Sequence, residues 1–177
     1  MACTDSDWGS DLTSCLSQIG FYLKLADGLI SWTSHAQKTI AYSSTEAEYM
    51  ALSDCAHQVT WICSLLGELG YKLKAIPICG DNQGSIFMAS NPVMEPRSKH
   101  IDIRYHGIRK LVVKGKVELY FIDGAKNPAD LLIKNLPREK FAKFRAQLGL
   151  QFPSGSSVGA IPALHREMLV SSSPVVV

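Results

Sequence analysis

SSTEAEYMALSDCAHQVTWICSLLGELG, from Ser43 to Gly70, is the stretch on which the fold class of this chain turns. Leu52, Cys55, Val59, Ile62, Leu66 and Leu69 step by three or four, as one face of a helix must. The spacing predicts a long helix from about Ser44 to Leu69, with Gly70 just past its end, where a C-terminal glycine belongs. Ser43 and Glu46 form an S-x-x-E capping box at its start. Carried back by four, the apolar stripe lands on Glu48, and a carboxylate at the buried end of such a stripe needs a partner. Glu46, two residues earlier, falls on roughly the opposite face. Glu46 therefore reads as a cap, while Glu48 is open between a site residue and a helix-start acid favoured by the macrodipole.

Around this helix the segments alternate between strand-like and helix-like periods, the pattern of a mixed α/β domain. Before it, Gly20 to Leu25 reads as a strand closed by Asp27-Gly28, and Leu29 to Trp32 followed by Thr39 to Tyr42 reads as the return arm of a hairpin. After it come an apolar strand, Ile76 to Cys79, and a small helix beginning near Asn82. A helical stretch spans roughly Ile101 to Val113, and Val117 to Ile122 is the last good strand. Two short helices start near Asn127 and Pro137. Residues 151–177 change character, with Pro153 to Ser157, Ser171 to Ser173 and Val175 to Val177, and are expected to be a disordered tail outside a domain of residues 1–150.

The 177 residues suffice for one domain with a sizeable core, and 46% hydrophobic with 19% charged residues is a globular composition. A formal charge of +2 does not announce a nucleic-acid binder. Five cysteines, Cys3, Cys15, Cys55, Cys63 and Cys79, include no C-x-x-C pair, so no disulfide framework and no structural zinc site are expected. No apolar run approaches the roughly 20 residues that span a bilayer, and the acidic N-terminus is unlike a signal peptide. The expectation is an intracellular protein without a membrane segment.

Asp81 closes the strand Ile76 to Cys79, and strand C-terminal ends are where α/β folds place their chemistry, but an Asp there also suits a helix N-cap. Asp130 follows Asn127 and Pro128 in what reads as a capped first turn. Asp5 and Asp7 stand at the very start. Together these acids and Glu48 suggest a site for hard cations, because magnesium prefers oxygen ligands. Two such ions about 3.5–4 Å apart can clamp an in-line phosphoryl displacement.

Four longer strings narrow the choice. ISWTSHAQKTIAYSSTEAEYMAL from Ile30, GDNQGSIFMASNP from Gly80, KHIDIRYHGIRK from Lys99 and NPADLLIKNLP from Asn127 closely resemble the ribonuclease H domain of copia-type retrotransposon Pol polyproteins, in the family's order and spacing, over residues 3–150. The resemblance implies a ribonuclease H-like fold: three antiparallel strands leading into a helix, then two strands parallel to the first, in a five-stranded mixed sheet. It implies an endonuclease that hydrolyses the RNA strand of RNA–DNA hybrids with two magnesium or manganese ions. The family's Asp, Glu, Asp and Asp fall on Asp5, Glu48, Asp81 and Asp130, with Asp5 and Asp81 as central ligands. In the parent family a reverse transcriptase lies upstream, so the expected setting is a cytoplasmic retroelement particle or the nucleus.

Arg97, Lys99, Arg104, Arg109 and Lys110, with Lys114 and Lys116, form a basic run that either holds the hybrid's phosphates or is a solvated helix face. His100 and His106 flank Asp102 in the same run and read as structural histidines. The family has a fuller strand before its first acid, whereas only four residues precede Asp5 here; the expectation is a shortened first strand that seats Asp5 poorly. The family's pair of arginines near Cys15 and Leu16 is also missing. These departures set an alternative beside the nuclease: an inactive retroelement remnant that at most binds nucleic acid or a reverse transcriptase. A transposase or integrase core shares the fold but places its Glu last, whereas Glu48 comes second.

Overall fold

The computed structural model describes residues 1–71, 73–91 and 106–151. Among these, five strands form one mixed sheet in the order β3-β2-β1-β4-β5. The strands are β1 (Ala2–Asp7), β2 (Gln18–Leu25), β3 (Gly28–Ala36), β4 (Ile76–Gly80) and β5 (Val117–Phe121). β1, β2 and β3 pair antiparallel, and β4 and β5 run parallel to β1. The helices are α1 (Ser44–Glu68), α2 (Gln83–Ser90), α3 (Gly107–Val113) and α4 (Arg138–Gln147), with short 3₁₀ segments at Gly124–Lys126 and Pro128–Leu132. This five-stranded mixed sheet with its helices is the architecture that the resemblance implies.

Strand alternation divides the core in two. Ala2, Ile19, Phe21, Leu23, Ile78 and Val117 face α1 and its buried Leu52, Cys55 and Val59. Cys3 and Tyr22 face the other way, against Ala129, Leu131 and Leu132 and against Phe144 and Leu148 at the α4 end. β1 thus carries a layer on each face, and Asp5, two residues after Cys3, points to the second.

Several sequence expectations are met and some are corrected. α1 ends one residue before the expected Leu69, and Leu69 is 65% exposed, so the buried stripe runs only as far as Ile62, with Leu66 partly covered. Ser43 caps α1 as expected, its hydroxyl accepting the Glu46 N–H at 3.1 Å, and the Glu46 carboxylate accepts the N–H of Tyr42 at 2.9 Å. Thr39 to Tyr42 is not a strand; β3 ends at Ala36 and a loop leads into α1. The hairpin turn is Ala26-Asp27, both at positive φ (47° and 63°), with Leu25 opposite Gly28, a two-residue turn whose twist matches that of the strands.

β1 extends two residues past Asp5, and all six of its residues pair with β2, while Ala2 and Cys3 also pair with β4. The expectation that four preceding residues seat Asp5 poorly is therefore corrected: Asp5 is 1% exposed and lies opposite Gly20. The expected tail lies outside the described residues but for residue 151, as does the first part of the helix expected over 101–113. No described helix is long and apolar enough to cross a membrane, and all five cysteines are free thiols.

Candidate active site

Three acids from three separate elements meet at one end of the sheet. Asp5 lies on β1, Glu48 near the start of α1, and Asp81 directly after β4. One carboxylate oxygen from each lies within 4.8 Å of the other two. Glu48 is drawn to β1 by a backbone contact: the Ser6 N–H donates to Glu48 Oε1 at 3.0 Å and to Asp5 Oδ1 at 2.9 Å. The N-cap reading of Asp81 is not what the structure shows. Asn82 caps α2, its side chain accepting the Ser85 N–H at 2.9 Å.

Asp130 joins this group through lysine. Asn127 caps its 3₁₀ segment and Pro128 takes the first position, as the sequence suggests. Each carboxylate oxygen of Asp130 then meets an ammonium: Lys134 Nζ donates to Oδ1 at 2.5 Å and Lys140 Nζ to Oδ2 at 2.6 Å. Lys134 Nζ also donates to Asp5 Oδ2 at 2.9 Å. Sequence reasoning missed both lysines. The i,i+4 spacing of Asp130 and Lys134 is a local signal that could have found the first. Lys140, on α4, carries no such signal.

Close approaches at Gly20 and Gly124 and a hydrogen-bonded clasp at Asn127 tie the 3₁₀ segments to the sheet. A Cβ on Gly20, the residue opposite Asp5, would lie 2.6 Å from Ile133 Cγ2 and 2.8 Å from Leu132 Cβ, so only glycine lets this segment pack there. Asn127, fully buried, donates from Nδ2 to the Thr4 carbonyl at 2.9 Å and accepts the Ala129 N–H at 3.2 Å. This clasp fixes the chain entering Asp130 against the residue before Asp5. Gly124 stands against Asp81 in the same way: a Cβ there would lie 2.7 Å from Asp81 Oδ2.

The site's charge is poorly solvated. Burial, the Asp5 and Asp81 charges and a hydrogen bond with Asp5 push Glu48 up to about 9, against the Ser6 N–H, which favours its ionised form. Burial and a carboxyl–carboxylate hydrogen bond with Asp130 push Asp5 up to about 7, with Lys134 opposing. Burial raises Asp81 as well. Asp130 is the exception: burial opposes its charge, but Asp5, Lys134 and Lys140 outweigh it and hold Asp130 down at about 2. Crowded, buried carboxylates that resist ionising are a set of oxygen donors that one hard divalent cation can bridge and neutralise.

One member of the basic run is placed differently from its sequence reading. Arg109 is buried, its Nε donating to the Met88 carbonyl at 2.9 Å and its guanidinium 5.9 Å from the centre of the Tyr49 ring. It holds α3 against α1 and α2 rather than facing outward. Lys110, Lys114 and Lys116 are exposed. Arg97, Lys99 and Arg104 lie outside the described residues, as do His100 and Asp102. His106 Nδ1 pairs with the Tyr49 hydroxyl at 2.9 Å, consistent with a structural histidine.

No family model matches the chain. It is 37% identical over 147 residues to the retrovirus-related Pol polyprotein from transposon TNT 1-94 of Nicotiana tabacum, covering 83% of this chain and 11% of that protein. It is 39% identical over 151 residues to the retrovirus-related Pol polyprotein from transposon RE1 of Arabidopsis thaliana, covering 84% of this chain and 10% of that protein. The chain spans about a tenth of the length of the curated relatives it matches. Among solved structures, LC11-RNase H1 in complex with an RNA/DNA hybrid superposes with a TM-score of 0.54 at 16% identity, over 75% of this chain and 94% of that one.

Proposed function

We propose that this chain, whose homologues are the retrovirus-related Pol polyproteins of copia-type transposons and whose fold is that of ribonuclease H, is an endonuclease that hydrolyses the RNA strand of RNA–DNA hybrids with two divalent cations, magnesium or manganese. The observation that carries the reading is the convergence of Asp5, Glu48 and Asp81 within 4.8 Å, from three elements that have no local reason to bring acids together. The substrate class is supported by the Pol parentage and by the hybrid bound to LC11-RNase H1.

Asp5, Glu48 and Asp81 would hold one ion, and Asp5 with Asp130 a second. Bound ions of this kind activate the attacking water and stabilise the leaving oxygen of an in-line displacement. The chain's own part is positional. The Ser6 N–H fixes the facing oxygens of Asp5 and Glu48, and Asn127 anchors the Asp130 segment to β1. Burial of Asp5 and Glu48 keeps these oxygens out of bulk water, so each charge they meet counts for more. The exposed Lys110, Lys114 and Lys116 supply positive charge for the phosphate backbone.

Cleavage of a labelled RNA–DNA hybrid, in magnesium and then manganese, tests this directly, with double-stranded DNA and Asp81→Asn as controls. Hybrid-only cleavage that disappears in Asp81→Asn is the expected result. A folded chain that cleaves nothing in either metal would overturn the enzyme reading and leave a nucleic-acid-binding remnant.

A further inference from the structure

The four acids are not treated alike by the chain. Asp5, Glu48 and Asp81 present oxygens to one another, whereas both oxygens of Asp130 are taken by ammonium groups, Lys134 on Oδ1 and Lys140 on Oδ2. Lys134 is shared, its Nζ lying 2.9 Å from Asp5 Oδ2 and 2.5 Å from Asp130 Oδ1. A second divalent ion bridging Asp5 and Asp130 would need the oxygens this ammonium holds. Two cations cannot occupy one position between the same carboxylates, so ion and ammonium compete.

We infer that Lys134 is a built-in counter-cation at the second ion position, so that the protein loads its ions in order: the first among Asp5, Glu48 and Asp81, the second only by displacing the Lys134 ammonium. Lys134 is suited to leave. Its side chain is 38% exposed, it sits just beyond the 3₁₀ segment, and a flexible four-carbon stem can carry the charge out to water without moving the backbone. It is also suited to return, because the buried Asp5 and Asp130 carboxylates repel one another when neither cation is between them. Lys140 reaches Asp130 alone, so it modulates that acid without closing the position to an ion.

The inference rests on the divalent-cation reading of the acidic cluster, and its test separates the two. Manganese uptake at constant pH is counted by calorimetry and by the electron paramagnetic resonance of free Mn²⁺, for wild type, Lys134→Met and Lys140→Met. Wild type should take up one ion and then, at clearly higher concentration, a second. Lys134→Met should tighten the second step by about tenfold or more, the scale of one close charge pair, and leave the first within about threefold. Lys140→Met should tighten it less. A wild type that takes both ions in one step, or a Lys134→Met second step that is unchanged or weaker, would overturn the ordered loading while leaving the cation site standing. Absence of uptake in every form would remove the cation site and this inference with it. Because Lys134→Met leaves crowded carboxylates bare, the wild type supplies a second readout by NMR of ¹³C-labelled lysine. The Lys134 Cε signal should move with the second equivalent of Mg²⁺ and not the first; movement with the first, or none, would equally overturn it.

Discussion

Glu48 and Asp5 are held in a state that costs stability and serves the site. A carboxyl whose folded-state pKa is raised binds its proton more tightly folded than unfolded, so its contribution is full below the ordinary value and is lost as pH rises through the folded one. For Asp5 that loss runs from 3.8 to about 7, and for Glu48 from 4.5 to about 9. Asp130 acts oppositely: its contribution is present above 3.8 and lost as pH falls through about 2. The metal-free protein should therefore melt at progressively lower temperature as pH rises through the Asp5 and Glu48 windows. Saturating Mg²⁺ should flatten the decline, because a bound cation takes the place of the protons. Differential scanning calorimetry with and without EDTA measures both, and a metal-free melting temperature that rises across this range would contradict the electrostatics. The same imbalance predicts that Glu48→Gln, which keeps an acceptor for the Ser6 N–H, raises the metal-free melting temperature by about 2–4 °C, the shift of one kcal/mol in a chain of this size. Hybrid cleavage by that variant should fall by about a hundredfold or more. Glu48 was half legible in the sequence: the helical stripe placed it at the buried end, but periodicity could not separate a site acid from a helix-start acid. The missing information was its partner, the Ser6 N–H, 42 residues away.

At the scale of elements, local chemistry was read well where it is local and poorly where two elements press together. α1 with its Ser43 cap, β4, and the Asn127-Pro128 start of the 3₁₀ segment follow from neighbouring residues and stand close to where the sequence put them. Thr39 to Tyr42 has a strand-like composition, yet no neighbouring strand pairs with it and it becomes the loop into α1. Arg109 reads as one of a basic run, and only the packing of α3 on Tyr49 and Met88 turns it inward. Gly20 is silent within a strand pattern, but it is the opening through which the Asp130 segment reaches β1. Gly20→Ala should destabilise the protein by about 1–3 kcal/mol, the usual cost of overpacking. It should also slow cleavage, because Leu132 and Ile133 must retreat and draw Asp130 away from Asp5. Asn127→Ala leaves the Thr4 carbonyl without its donor and should cost about 1–3 kcal/mol. Urea unfolding at fixed pH with EDTA measures both; wild-type stability in Gly20→Ala would mean that the 3₁₀ segment yields freely and does not fix Asp130.

At the scale of the whole molecule, the site acids and the exposed lysines of the basic run occupy different places, and that division could not be read from a net charge of +2. The site acids gather at one end of the central strands, with Lys134 and Lys140 directed into Asp130 and so withdrawn from the surface charge. Arg109 is withdrawn as well. What remains outward of the described part of the basic run is Lys110, Lys114 and Lys116, on α3 and the turn into β5. If these three meet phosphates, each must release a counterion on binding, and the affinity for a hybrid must fall with salt accordingly. Lys114→Ala and Lys116→Ala should each make the slope of log affinity against log salt about 0.7–0.9 less steep, lowering affinity for RNA–DNA hybrid and duplex DNA alike, since phosphate contacts carry no sequence or sugar information. Arg109→Ala should act differently, lowering the melting temperature through lost packing on Tyr49 while leaving the salt slope unchanged. Fluorescence anisotropy with a labelled hybrid in EDTA, titrated over a range of potassium chloride, separates the two behaviours. Slopes identical to wild type in both lysine variants would place the phosphate-binding surface elsewhere than on α3 and the turn that follows it.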